Sequence, residues 1–113
     1  MAKVIITESL NQEINKIFKG ESVEVFELIY SLKENPKKGK AIGQVGGILI
    51  KELKYKSFRF YFIIDGFKLK VLGNEELGDL IIKFVKMSDK KSQQRVIDEI
   101  KKILRTLGEE GFR

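Results

Sequence analysis

A chain of 113 residues is the size of one domain and too short for two comfortable cores, and 42% hydrophobic with 34% charged residues suits a folded, well-solvated unit. With no cysteine and no histidine there is no disulfide, no thiolate nucleophile, no Ser-His or Cys-His pair and no Cys- or His-ligated metal, so chemistry would run on Lys, Arg, Tyr or carboxylates, and no cofactor is expected. The 22 Lys and Arg against 16 Asp and Glu give a net charge of +6, which attracts an anionic partner, nucleic acid first, or simply solvates the surface.

Residues 3–7 form a β-branched run that suits a strand, and Thr7 stands where a helix N-cap is wanted. The apolar stretch here is too short for a signal peptide, and nothing later approaches the roughly 20 apolar residues of a membrane span, so the expectation is a cytoplasmic chain with no membrane partner. Heavy use of Lys, Ile and Glu without Cys is the composition of heat-adapted proteins.

Leu10, Ile14, Ile17 and Phe18 share one face of a helix expected over 8–18, which Gly20 breaks. With Ser22 as cap, a second helix over 23–34 carries Val25, Leu28, Ile29 and Leu32 on its stripe and ends at Asn35-Pro36. Two short-linked helices make a hairpin that must lay its apolar stripe on another layer. The basic loop 37–40 and Gly43, Gly46 and Gly47 delay regular pairing until a strand over 48–55, followed by a second over 57–64. Asp65-Gly66 is the signal of a tight hairpin, returning the chain through a strand over 67–72. A loop over 73–78 leads to a last strand over 80–87. Ser88-Asp89 then opens a helix over 89–107 with Val96, Ile97, Ile100, Ile103, Leu104 and Leu107 on one face, stopped by Gly108; residues 108–113 read as a flexible tail. That helix reads as core packing, although so generous a stripe also allows a homodimer or another protein to cover it. The fold class is α+β: one domain over 1–113, an N-terminal helical hairpin on a mainly antiparallel four- to five-stranded sheet, and a C-terminal helix.

Strand alternation supplies a candidate site. Phe58, Phe60, Phe62 and Ile64 take one side of their strand as core, and Arg59, Tyr61 and Ile63 the other. A two-residue turn at Asp65-Gly66 would bring Lys70 opposite Tyr61 and Lys68 opposite Ile63. Leu49, Leu53 and Tyr55 would face inward, with Lys54, Lys56 and Lys83 outward. The outer face then holds Lys54, Lys56, Arg59, Tyr61, Lys68, Lys70 and Lys83, with Lys86, Lys90 and Lys91 at its edge and Glu52 as its one obvious acid. Such a face binds RNA phosphates through Lys and Arg, stacks a base on Tyr61 and offers Arg59 as a planar donor fork. An antiparallel sheet also ordinarily shows water a polar face, which is basic in a Lys-rich chain. Arg59 is equally a candidate ion-pair partner of Glu52. The glycines at 43, 46 and 47 lack the spacing of a phosphate loop.

Three stretches carry a resemblance: Lys33-Glu-Asn-Pro-Lys-Lys-Gly-Lys40, Gly46-Gly-Ile-Leu-Ile-Lys51 and Tyr55-Lys-Ser-Phe-Arg-Phe-Tyr-Phe-Ile-Ile-Asp65. In this order they are similar to the RelE/ParE toxin superfamily, in which a helical hairpin ending near Asn-Pro leads through a Gly-containing loop to a strand with a Tyr-Arg-x-x-Tyr-like pattern. The resemblance covers most of residues 3–104. It implies a RelE-like fold, a toxin of a toxin-antitoxin system, a cognate antitoxin protein as partner, and metal-independent endoribonuclease action on mRNA at the ribosome, which inhibits translation. On that resemblance Arg59 occupies the strand arginine, Lys54 a basic strand position, and Lys90 or Lys91 the basic position before the last helix; Arg59, Lys54 and Lys90 are the catalytic candidates. Lys56, Tyr61, Lys68, Lys70, Lys83, Lys86 and Lys91 are the RNA-binding ones. The family's paired strand lysines fall at Ile50 and Glu52 here, and its C-terminal tyrosine at Val96. A toxin-like module that binds RNA or protein without cutting is therefore the alternative.

Overall fold

The computed structural model describes residues 2–71 and 76–113. In chain order the elements are β1 (Lys3–Ile6), α1 (Glu8–Phe18), α2 (Ser22–Tyr30), β2 (Lys40–Val45), β3 (Ile48–Tyr55), β4 (Phe58–Asp65), α3 (Gly66–Val71), β5 (Ile81–Asp89) and α4 (Gln93–Leu107). They build an α+β unit around one mixed sheet of order β1-β5-β4-β3-β2, in which β1 runs parallel to β5 and every other pair is antiparallel. Its Cα radius of gyration, 13.4 Å, is that of a single domain of this length.

The Thr7 side chain accepts a hydrogen bond from the Leu10 backbone N–H at 3.3 Å and so starts α1, which buries Leu10, Ile14 and Phe18. Around Gly20 one tight turn links it to α2, where Val25 and Ile29 are buried, and a further tight turn over Ser31–Lys33 buries Leu32. These side chains close on Phe60, Phe62, Ile64, Ile82, Phe84 and Leu53 to form the larger core. The phenylalanine ridge of β4 is thus interior, as its alternation requires.

Three stretches differ from the sequence expectation. A strand, β2, forms where glycines were expected to delay pairing. It joins β3 through the two-residue turn Gly46-Gly47, Val45 standing opposite Ile48, and carries Ile42 as the extra residue of a bulge between Ala41 and Gly43, with Gly43 itself opposite Ile50. A second two-residue turn, Lys56-Ser57, joins β3 to β4, with Lys56 at a φ of 53°. At Asp65-Gly66 the chain does not turn back. The Asp65 carboxylate accepts from the Lys68 N–H at 3.0 Å, as a helix cap does, and residues 66–71 wind into α3 rather than a strand. The place beside β4 belongs to β5, with Phe62 opposite Phe84 and Ile63 opposite Lys83. Leu72 and residues 73–75 of the loop expected over 73–78 lie outside the described residues, and Glu76–Asp79 form one tight turn.

The second face of the sheet is covered as well. Val96, Ile97, Ile100 and Leu104 of α4 pack with Phe112 onto Ile50, Tyr61, Ile63 and Val85. This corrects the expectation of an open outer face: a surface carrying Ile50, Ile63 and Val85 gains far more from burial than from water. Of the stripe that could have served a homodimer, Val96, Ile97, Ile100 and Leu104 are buried here and Leu107 stays exposed. The chain end is likewise packed rather than frayed, since Phe112 is buried, the Phe112 and Glu109 carbonyls accept from Lys83 Nζ, and the Arg113 carbonyl accepts from the Ser9 N–H. Asp89 ends β5, and its carboxylate accepts from the Ser92 N–H and Oγ, both at 2.8 Å, so α4 begins at Gln93 rather than at 89. Hydrogen bonds from Ser92 hold the Asp89 carboxyl below its usual range.

Candidate nucleic-acid interface

The register of the sheet brings two rows of polar residues to the end of the α4 face. Lys54 stands opposite Arg59, which stands opposite Ser88; one row inward, Lys40, Glu52 and Tyr61 follow one another across β2, β3 and β4. Directly opposed residues share a face. The turn carrying Lys90 and Lys91 leaves β5 next to Phe58, because Phe58 pairs with Asp89. Lys54, Arg59, Lys90 and Lys91 therefore belong to one corner of the molecule, with Lys54, Lys90 and Lys91 exposed.

Within this corner Arg59 is only 8% exposed, and its Nη1 donates to the Phe58 carbonyl at 3.1 Å. Among the described residues it makes no ion pair with Glu52 or any other acid. No fully buried side-chain nitrogen or oxygen there lacks a partner, so the unpaired Nε and Nη2 edges of its guanidinium reach the surface. The arginine is a donor set at the lip of the core, with its stem packed and its far edge wet.

Tyr61 has no exposed surface, and its hydroxyl shares a hydrogen bond of 2.7 Å with Ser88 Oγ. Burial pushes its pKa up; the Ser88 bond offsets part of that, while the charges of Glu52 and Arg59 act on it in opposite directions. Under α4, its ring is closed to a nucleic-acid base, which corrects the stacking role expected of it.

The remaining expected contacts divide. Lys56 is the turn residue between β3 and β4 and is ion-paired to Glu21. Lys86 is half-buried on β5 near Glu13 of α1, whose carboxyl burial pushes up in pKa, an effect the Lys86 charge only partly offsets. Lys68 and Lys70 lie on α3 rather than on a strand, beyond the opposite end of β4 from Arg59, about 20 Å away along the strand at about 3.3 Å per residue. Lys83 shares that end, lining with Lys68 and Glu109 a cavity of about 130 Å³. The seven expected RNA contacts thus do not make one platform.

Two features escaped the sequence reading. Lys38, Gly39, Lys40, Glu52, Leu53 and Lys54 line an open groove of about 350 Å³ beside the corner, which needed β2 to be seen as a strand. Lys51 is the other. Alternation with Leu49 and Leu53 already put it on the inward face, and it is buried there, 4% exposed, with burial lowering its pKa. Among the described residues no group of acidic side chains is arranged to hold a metal ion, and no helix is long and apolar enough to cross a membrane. No protein-family model matches the chain, and no curated protein or solved structure matches it.

Proposed function

We propose that this chain is a toxin-type module of the RelE/ParE kind that engages RNA through the corner formed by Lys54, Arg59 and the Lys90-Lys91 turn. The observation that carries the reading is the pairing of Lys54 with Arg59 on adjacent strands without a carboxylate between them. Like charges directly opposed across a sheet are destabilising, and an arginine with most of its surface buried has lost much of its hydration. A bound phosphate relieves both costs, and the fork geometry of a guanidinium suits it. Support for the RelE-like fold comes from the element order of strand, two helices, antiparallel strands and C-terminal helix, with the first two helices on one face of the sheet and the last on the other.

Fluorescence anisotropy with labelled single-stranded RNA tests the reading. Binding should weaken steeply with salt, and Lys54→Ala and Lys90→Ala should each lower the slope of log K against log salt by about 0.7, the value for one single-strand phosphate contact. Absence of any RNA binding at low salt ends the proposal.

A second reading, ribosome-dependent cleavage of mRNA, is favoured by Glu52, which lies one row from Lys54 and Arg59 on the same face. In it the Glu52 carboxylate accepts the ribose 2′-hydroxyl proton, the 2′ oxygen attacks phosphorus, Arg59 and Lys54 stabilise the charge that develops, and Lys90 protonates the departing 5′ oxygen. Mapping mRNA 3′ ends in a translation extract decides it: cuts should appear with the parent and vanish with Arg59→Ala. An Arg59→Ala protein that cuts at the full rate removes the assignment.

A further inference from the structure

The loop entering β2 is built more firmly than a solvated turn needs to be. The buried Lys51 ammonium donates to the Lys37 carbonyl at 3.0 Å and lies 5.8 Å from the centre of the Phe62 ring. Two residues further on, Gly39 turns with a φ of 100°, and a Cβ there would come within 2.8 Å of the same ring and 3.0 Å of the Glu52 carbonyl. One end of this short span is held by a hydrogen bond from a buried cation, the other by close packing on the core. Taking an ammonium out of water is costly, and a methionine would fill a similar space without that cost. What the arrangement achieves is visible on the outside. Lys38 and Lys40 remain exposed on a fixed backbone, and with Lys54 they surround the groove beside β3. Three lysines there face a single carboxylate, Glu52, and the lining contains no aromatic ring. Such a groove reads charge rather than base identity. Through Lys54 it is continuous with the corner that holds Arg59.

We propose that this groove is a second arm of the RNA surface, in which Lys38, Lys40 and Lys54 hold backbone phosphates of single-stranded RNA, and that Lys51 is the positioning residue that fixes the loop for it. The inference rests on the RNA-binding reading above. Strand spacings of about 4.8 Å put β2 three steps, roughly 14 Å, across the sheet from β5, so one RNA strand would run from the Lys90-Lys91 turn over β4 and β3 to the loop. Oligo(U) and oligo(A) of equal length should bind alike.

The test uses anisotropy with those two oligonucleotides over a range of salt. Lys38→Ala/Lys40→Ala should lower the salt slope by about 1.4, twice the single-contact value, for both sequences. Lys51→Met should weaken RNA binding while keeping or raising the thermal midpoint, a combination that general loosening does not produce. Placed in the Lys38→Ala/Lys40→Ala background, Lys51→Met should add no further loss, because its effect acts through those two lysines. A Lys38→Ala/Lys40→Ala slope equal to the parent's, alongside a reduced slope for Lys54→Ala or Lys90→Ala, overturns the second arm and leaves the corner standing. Failure of the parent to bind either oligonucleotide overturns both. An equal loss from Lys51→Met in the two backgrounds overturns the positioning role. The loop variants touch no buried group, so they carry the test whatever Lys51→Met does to folding.

Discussion

Replacing Tyr61 by phenylalanine separates a tyrosine that serves the core from one that serves RNA. The hydroxyl has one partner, Ser88 Oγ at 2.7 Å, and the two residues are 0% and 5% exposed. Tyr61→Phe removes a neutral hydrogen bond and leaves the Ser88 hydroxyl unpaired beneath α4, at a cost of about 1–2 kcal/mol. With an unfolding entropy of about 2.1 cal/mol/K per residue, a chain of this length loses about 4 °C in Tm per kcal/mol, so the expected drop is about 4–8 °C. Removing both partners is the control. Tyr61→Phe/Ser88→Ala should recover most of the loss, because no donor or acceptor is then stranded, and the coupling from the double-mutant cycle should be about 1 kcal/mol. Urea unfolding followed by circular dichroism reads all four proteins. RNA affinity should be the same for the parent and for Tyr61→Leu, which removes the ring, in buffer where the variant is still folded. An unchanged urea midpoint for Tyr61→Phe together with a several-fold loss of RNA affinity for Tyr61→Leu would refute the reasoning, since it requires α4 to leave this face open.

Burial lowers the Lys51 pKa in the folded chain, so between that lowered value and the ordinary value of 10.5 the unfolded chain binds more protons, and stability rises with pH across this window. Lys51→Met should flatten that rise and raise the urea midpoint at neutral pH; parallel curves for the two proteins would contradict a buried ammonium. Phe112→Ala should cost about 3 kcal/mol, as for other buried aromatic truncations, and an unchanged urea midpoint would mean that the chain end does not pack. Lys68→Ala/Lys70→Ala should leave RNA affinity near the parent's at 0.15 M salt, because α3 lies well beyond a Debye length of about 8 Å from Arg59; a several-fold loss there would put α3 in the interface.

Periodicity carried much of the fold. The strand positions of β3 and β4, the inward phenylalanines, the Thr7 cap and the apolar stripe of α4 are each set by residues whose spacing has one good solution. β2 was hidden because Gly43, Gly46 and Gly47 look like strand breakers, whereas Gly43 pairs with Ile50 beside a bulge at Ile42 and the other two form the turn into β3. α3 was hidden because six residues are too few to show helical periodicity, and Asp65-Gly66 is a turn signal that doubles as a cap. The candidate site was half legible. Arg59 and Lys54, expected on one face, do share it, and the register sets them opposite each other. Ile50 and Ile63 on the same face, together with the long stripe of α4, already indicated that the two surfaces cover each other; polar alternation is a weaker guide than apolar area when both faces of a strand carry isoleucine.

Covering the sheet on both faces decides where function can reside. Apolar contacts hold the middle of each strand, so cations on the same strands reach solvent only where the covering helices stop. At the β3–β4 turn end those cations are Lys54 and Arg59, joined by the turn after β5; at the other end stands Lys83, occupied by the Glu109 and Phe112 carbonyls, with Lys68 and Lys70 of α3 beyond it. Lys83 spends donors inside the molecule, whereas two edges of the Arg59 guanidinium remain open beside Lys54, which makes no ion pair among the described residues. A net charge of +6 spread evenly would attract RNA to every side of the molecule with little orientation. Concentrated beside an arginine whose stem is packed and whose free edges reach the surface, the same charge would, on the proposed reading, give the phosphates of an RNA strand one place to bind.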